Sequence, residues 1–327
     1  MSKLVTIFGG SGFVGRYIAR RMAKQGWRVR VAVRRPNEAI FTRTYGAVGQ
    51  VEPVLCNIRN AQSVAMAVSG ADAVVNCVGV LTNQGKNKFD AVHAAAVDTI
   101  AQACADADVA RVVHISAIGA DPEAASEYAQ TKAKGEAALM AHVPTAVILR
   151  PSVVFGPEDQ FFNRFANMTR FPGVVPVVGA QTKFQPVYVD DVAAAAERAI
   201  IDPSVQGIYE LGGPDVASFA ELMAKMAVVV QRRPAIVPLP FFIGGLMATG
   251  FSVAQFLTAG LFHNNMLTKD QLLNLRNDNV VSSGARGLAD LGVSATSMDV
   301  VLPQYLWCYR PSGQYADIKN SARDLNI

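Results

Sequence analysis

Apolar positions along the chain follow two alternating periods. Short β-branched runs predict strands at "KLVTIFGG", "RVRVAVRR", "VEPVLCNI", "DAVVNCVGV", "RVVHISAIG" and "TAVILRPSVVFG". Between them, "GFVGRYIARRMAKQGW" sets Phe13, Val14, Tyr17, Ile18 and Met22 at helical spacing. "AQSVAMAVSGA", "FDAVHAAAVDTIAQACADA" and "YAQTKAKGEAALMAH" predict further helices. Repeated strand–helix units with Val/Ile-rich strands imply a parallel sheet covered by helices on both faces, an α/β doubly wound fold. After Gly156 the pattern loosens through "RFPGVVPVVGAQ", and one more unit, "PVYVDDVAAAAERAI", reads as strand and helix. This places a first domain at residues 1–157 plus 186–203. A smaller, mostly helical C-terminal domain takes 158–185 plus 204–327, with a polar tail from about 310.

Residues 234–268, "PAIVPLPFFIGGLMATGFSVAQFLTAGLFHNNMLT", contain no Asp, Glu, Lys or Arg. A membrane-spanning helix needs about 20 mostly apolar residues. Ile243–Leu261 approaches that length, but it holds Gly244, Gly245, Gly250, Ser252 and Gln255 and has no charged anchors close by. Large apolar residues recur at Ile243, Leu246, Met247, Val253, Leu257 and Leu261, with small or polar ones such as Ala248, Thr249 and Ala259 mostly between them. This is amphipathic spacing with an uncharged second face. Three readings stay open: a core helix of the second domain, a helix lying in a membrane interface or against a membrane subunit, and a span. Six large side chains left in water would forgo roughly 1.5–3 kcal/mol each, so an exposed face of this kind would mark an interaction site.

Charge is unevenly spread. The whole chain carries +4, but residues 1–43 hold ten Lys/Arg against one acid, a local +9 that leaves about −5 for the rest. Such a segment suits an anionic membrane or a phosphate-bearing cofactor; no nucleic-acid partner is expected. Cys56, Cys77, Cys104 and Cys308 are scattered, which fits free thiols in a reducing compartment rather than a disulfide framework. The four histidines have no ligand spacing, and no metal is expected. The opening "MSKLVTIFGG" reads as a strand with no leader, so the expectation is a bacterial cytoplasmic protein or a mature organellar form.

"GGSGFVG" sets Gly9, Gly12 and Gly15 in a G-x-x-G-x-x-G pattern between a strand and a helix. In that context the glycines let the backbone approach a pyrophosphate, and the helix amino terminus supplies unpaired N–H groups from Phe13, Val14 and Gly15. The architecture is therefore Rossmann-type. The second strand ends "VAVRRP", with Arg34 and Arg35 where an acid would otherwise bind ribose hydroxyls. Guanidinium groups suit a 2′-phosphate, so NADPH is expected over NADH. Asn57 and Ile58 fall where an adenine edge would lie, and Val78 and Gly79 near the ribose or pyrophosphate.

"YAQTK" puts Tyr128 and Lys132 four apart on one helix face, with Ser116 ending the preceding strand. An ammonium beside a phenol lowers the phenol's pKa, and Tyr128 then exchanges a proton with a carbonyl oxygen held by Ser116. The same three residues can instead only hold cofactor. Asp190 and Asp191 are adjacent and, read as strand residues, point to opposite faces, which argues against shared acid–base work.

Together "GGSGFVG", "SAIG…YAQTK", "LRPSVVFGPED" and "QPVYVDDVA" resemble the extended or atypical short-chain dehydrogenase/reductases, over about 200 residues in the right order. The resemblance implies that Pro151 and Val153 border the nicotinamide and that residues 186–191 form a late strand returning to the nucleotide domain. "RPSVVFGPEDQFFNRFA" followed by "FQPVYVDDVA" is most similar to the NADPH-binding accessory subunits of respiratory complex I (NADH:ubiquinone oxidoreductase). That branch implies tightly held NADPH, a structural role at the junction of peripheral and membrane arms, and other complex I subunits as partners. Residues 234–268 would then dock on a membrane surface or membrane-arm subunit. The protein would sit peripherally on the cytoplasmic face of a bacterial inner membrane, or on the matrix side if mitochondrial. One departure is His93, which stands where the superfamily often carries an asparagine that orders a proton-relay water. The alternative is a free NADP-dependent reductase or epimerase acting on a small hydrophobic carbonyl.

Overall fold

The computed structural model describes residues 2–170, 174–257, 268–315 and Ser321, with side chains outside 251–257. The chain divides into two compact units: Met1–Ser152, Val189–Gly212 and Val281–Ala295 form the first, and Val153–Tyr188, Gly213–Val280 and Thr296–Ile327 the second.

The first unit is a seven-stranded, all-parallel sheet. Its strands are β1 (Leu4–Phe8), β2 (Arg28–Val33), β3 (Val51–Leu55), β4 (Ala73–Asn76), β5 (Val112–Ile115), β6 (Val147–Pro151) and β7 (Gly207–Leu211). Their spatial order is β7-β6-β5-β4-β1-β2-β3. β1, β4 and β5 are buried along their whole length, which is why they read as unbroken apolar runs. Helices α1 (Phe13–Lys24), α2 (Ala61–Val68), α3 (Ala96–Asp106), α4 (Glu127–His142) and α5 (Val189–Ile201) accompany the sheet. The order in which strands are added reverses between β1 and β4, which opens a crevice beyond their carboxyl ends.

Several features differ from the sequence reading. Residues 153–157 and 186–188 fall in the second unit, where Val187–Tyr188 pairs with Val154–Phe155 and does not join the seven-stranded sheet. Residues 204–212 and 281–295 lie in the first unit, because β7 pairs with β6 from Gly207↔Val147 to Leu211↔Pro151. The buried Glu210 on β7 accepts from the Ser282 amide at 2.7 Å, which ties 281–295 to the same edge. Asp190 and Asp191 are not strand residues; they open α5. Asp190 there takes a bidentate pair from Arg21 of α1 (2.9 and 2.7 Å), and Arg21 also reaches Glu197 at 2.9 Å. Asp191 is buried, so the two carboxylates serve different surroundings.

In the second unit, Ala235–Leu239 pairs in parallel with Val174–Val178, and a helix follows at Phe241–Leu257. Among its described side chains, the small residues, not the large ones, take the fully buried positions. Gly244 and Ala248 face inward, while Phe242 and Leu246 are 69% and 73% exposed. The small residues are inside because the helix packs closely: a Cβ on Gly244 would stand 3.0 Å from Val178 and 3.1 Å from Leu272. The remainder of the expected Ile243–Leu261 helix lies outside the described residues. Among the described residues, no helix is long and apolar enough to cross a membrane.

The second unit is organised round one buried carboxylate. Asp159 accepts from the amides of Gly156, Phe161 and Asn163 at 3.0–3.1 Å and from the Tyr305 hydroxyl at 2.5 Å. Phe155, Phe162, Phe219 and Leu302 pack in the same core. Removing the acceptor strands four donors, two buried and two part-buried, each unmet buried group costing about 1–3 kcal/mol before relaxation. We expect Asp159→Ala to lose about 3–5 kcal/mol and Tyr305→Phe about 1–2 kcal/mol in urea unfolding of the full chain.

Candidate functional site

β1 delivers the chain to Gly9, whose φ of 74° lies in the left-handed region. The Gly9 amide donates to Ala32 O on β2 and the Cys77 amide to Phe8 O, so the turn is held from both sides. Gly12 caps α1 without a side-chain acceptor, leaving the Phe13, Val14 and Gly15 amides with no carbonyl inside the helix. Gly15 has no alternative: a Cβ there would stand 2.4 Å from Gly9 O and 2.8 Å from Gly10 Cα. The result is a cradle of outward-facing N–H groups at a helix amino terminus, which fits an anionic pyrophosphate.

At the end of β2, Arg34 and Arg35 are both exposed. Arg35 pairs with Glu38 at 2.9 Å, an exposed contact of small energetic weight. A further cation, absent from the sequence reading, stands between this edge and the turn. Arg16 donates from Nε to Gly12 O (3.2 Å) and from Nη2 to Ser11 O (3.0 Å). Its guanidinium lies 5.1 Å from the Phe41 ring centroid, on the 3-10 segment Pro36–Tyr45 that follows Arg35. The legible signal was an arginine directly after the last glycine of the turn.

After β3, exposed Asn57 turns its side-chain oxygen onto the Arg59 amide (3.2 Å), and Ile58 packs against the core beneath α2. After β4, the Val78 amide donates to Asn76 Oδ1 at 3.0 Å, and Val78 Cγ2 lies against Gly9. Gly79 is exposed and looks into the crevice, where a Cβ would find Lys132 Nζ at 3.6 Å and His93 Nε2 at 3.7 Å.

Ser116 and Lys132 come together at the end of β5. Lys132 reaches from α4 to donate to Ile115 O at 3.1 Å, the carbonyl preceding Ser116. Burial pushes its ammonium down to about 8, with Glu136 pulling the other way. Glu136 is itself held by Arg150 of β6, at 3.0 Å from Nε and 2.5 Å from Nη2. Ser116 Oγ is buried with no hydrogen-bond partner, and so is His114 Nε2 two residues earlier. Buried polar atoms without partners are uncommon, which marks these two positions. Tyr128, one turn before Lys132, is half-buried with Phe89 and His93 against its ring. Pro151 ends β6 and accepts from the Ile118 amide, while Val153 falls in the second unit. Cys77 beside Asn76 has its thiol pushed up to about 12 by burial, so it is inert as a nucleophile. Among the described residues no group of three or more His, Cys, Asp or Glu could hold a metal ion. A groove of about 320 Å³ lies in the second unit between Gly179–Thr182 and Pro238–Phe241, next to exposed Phe242.

The carboxyl ends of β1, β2 and β5 therefore carry the glycine turn at the start of α1, the exposed Arg34 and Arg35, and Ser116 beside Lys132, with Tyr128 one turn earlier on α4 against His93. The solved structure of an Escherichia coli NADPH-dependent quinone oxidoreductase in complex with NADPH superposes with a TM-score of 0.70 at 17% identity, covering 92% of this chain and 98% of that one, and shares its fold. A ceramide reductase of Caulobacter vibrioides is 31% identical over 240 residues, 72% of this chain and 74% of its own. An Arabidopsis thaliana mitochondrial protein, NADH dehydrogenase [ubiquinone] 1 alpha subcomplex subunit 9, is 32% identical over 317 residues, 95% of this chain and 79% of its own. The model of the NAD dependent epimerase/dehydratase family matches residues 5–212, and the chain belongs to that family.

Proposed function

We propose that this chain is an accessory subunit of respiratory complex I that holds NADPH in its first unit and docks through its second, without turnover. One observation carries the reading. Similarity to the plant complex I subunit runs through 95% of the chain, both units included, whereas similarity to the ceramide reductase stops at 72%. A nucleotide site alone would favour neither relative; the second unit does.

The preference for NADPH rests on charge at one edge. Exposed Arg34 and Arg35 follow β2, where guanidinium groups suit a 2′-phosphate, and Arg16 supplies a third guanidinium at the glycine turn. Bound NADPH supplies a transferable hydride. On this reading Lys132 and Tyr128 hold the nicotinamide ribose and Ser116 meets the carboxamide side, so the cluster serves affinity. Docking falls to residues 234–268, where Phe242 and Leu246 stand in solvent on a helix face without charge. The location that follows is peripheral, on the cytoplasmic face of a bacterial inner membrane or the matrix side of a mitochondrial one, against lipid or a membrane-arm subunit at the junction of the two arms.

A second reading, a free NADP-dependent reductase or epimerase for a small hydrophobic carbonyl, is favoured by the retained Ser116, Tyr128 and Lys132. Tagged chain purified from membranes separates the two. An accessory subunit brings other respiratory polypeptides with it. A free reductase elutes alone, consumes NADPH with a carbonyl or quinone, and loses that activity in Tyr128→Phe.

Two further outcomes follow. Arg34→Ala with Arg35→Ala should weaken NADPH by at least about tenfold, since a hydrogen bond to a charged group contributes about 1.5–3 kcal/mol, while NADH affinity holds. Unchanged NADPH affinity would sink the phosphate assignment. Lys132 gives a pH dependence. Its ammonium is charged at neutral pH and lost above about 8, so dinucleotide affinity should fall above that pH, approaching about tenfold per unit, and Lys132→Met should flatten the profile. By the same linkage, the free protein binds fewer protons folded than unfolded between about 8 and the ordinary lysine value of 10.5. Lys132 therefore makes folding more favourable as pH rises through that window.

A further inference from the structure

The helix before β5 starts irregularly. Asp90–Ala95 form a π-turn, and α-helical bonding begins at Ala96. Such turns are uncommon and often mark functional positions. This one turns His93 into the site, where the ring is 1% exposed. Its backbone carbonyl lies so close to α4 that a Cβ on Gly135 would stand 1.9 Å from it.

The ring of His93 is held on every side. Nε2 accepts from the Val80 amide at 3.0 Å. Nδ1 faces the Thr131 hydroxyl at 3.4 Å. Phe89 stacks on it with centroids 5.5 Å apart and planes at 19°. Tyr128 meets it edge-on at 5.2 Å, and Phe89 meets Tyr128 edge-on at 5.7 Å, which closes a triangle of rings.

These contacts select one form of the imidazole. A backbone amide can only donate, so Nε2 carries a lone pair and the proton sits on Nδ1. Thr131 is placed to receive it, because its own hydroxyl proton is directed at the Glu127 or Tyr128 carbonyl, 2.8 and 3.0 Å away. The titratable groups facing His93 are Tyr128 and Lys132 on α4 and His114 on β5. Burial, with the Lys132 ammonium adding to it, pushes His93 down to about 3.

We infer that His93 is a positioning residue for the dinucleotide site: a single neutral tautomer that fixes the Tyr128 ring and the Val78–Val80 backbone together. The inference rests on the proposed dinucleotide reading. The two parts that it joins come from different elements, α4 and the segment after β4, and both border the space in front of Gly79 that Lys132 Nζ enters. Fixing them through one ring sets the width of that space before anything binds.

Two variants divide the ring from its hydrogen bonds. His93→Gln keeps an acceptor for the Val80 amide and loses the ring. His93→Phe keeps the ring and loses both hydrogen bonds. Full-length chain would be titrated with NADPH, and the ¹⁵N-histidine spectrum of the wild type recorded across neutral pH, with His93 assigned by its loss in His93→Gln or, failing that, by its contacts to Phe89 and Tyr128. The expected results are an Nδ1–H tautomer that does not titrate, and NADPH binding weakened by about tenfold or more in each variant. A His93 that titrates near neutrality, an Nε2–H tautomer, or wild-type affinity in both folded variants would overturn the inference. If a variant does not fold, the wild-type spectrum still decides the tautomer. If the wild type binds no NADPH, the dinucleotide reading fails, and this inference with it, whatever the spectrum shows.

Discussion

The first unit depends on a helix touching a turn. α1 can start where it does only because Gly15 lacks a Cβ, which would otherwise stand 2.4 Å from Gly9 O. That contact brings the amino terminus of α1 down onto the end of β1, beside β4, and leaves its first amides facing the crevice. Arg21, two turns along the same helix, then ties α1 to α5 through Asp190 and Glu197. A single steric allowance thus sets both the anion cradle and the packing of the helix layer behind it.

Across the crevice, burial sets the charge states of the groups around Lys132. Lys132 is buried, so its charge is costly, and it persists at neutral pH because Glu136 lies near and is shared with Arg150. His93 and His114 are both held neutral by burial. Tyr128 is hemmed by two rings. These groups are pre-set in position, and the two histidines stay neutral across the neutral range. Pre-organisation of that kind strengthens binding by lowering the ordering cost, which is the property a permanently occupied site needs.

Much of this was legible in the chain. The glycine turn, the arginines after β2, and Ser116, Tyr128 and Lys132 all appear by spacing, because each is a local pattern tied to one element's end. What escaped depends on partners distant in sequence. Gly207–Leu211 carries a glutamate and is only five residues long; it becomes the seventh strand because β6 offers an edge and Ser282 and Arg150 satisfy Glu210. The π-turn is invisible in "FDAVHAAAVDTI", which reads as one regular helix, since the irregularity comes from Gly135 admitting the His93 carbonyl. Which face of the helix Phe241–Leu257 is covered stayed open in the sequence, because periodicity reports a face and not which face is buried. Gly244 against Val178 and Leu272 decided that, and turned Phe242 and Leu246 outward.

On the proposed reading the first unit holds the nucleotide and the second carries the outward apolar face of Phe242 and Leu246. The most direct measurement is the nucleotide content of the chain isolated from membranes within its native assembly, after extensive washing in mild detergent and release by denaturation. The account predicts near-equimolar NADPH, retained through washing and not oxidised on addition of carbonyls or quinones. A washed assembly whose chain carries no nucleotide, or whose bound NADPH is oxidised on adding a carbonyl, would contradict it.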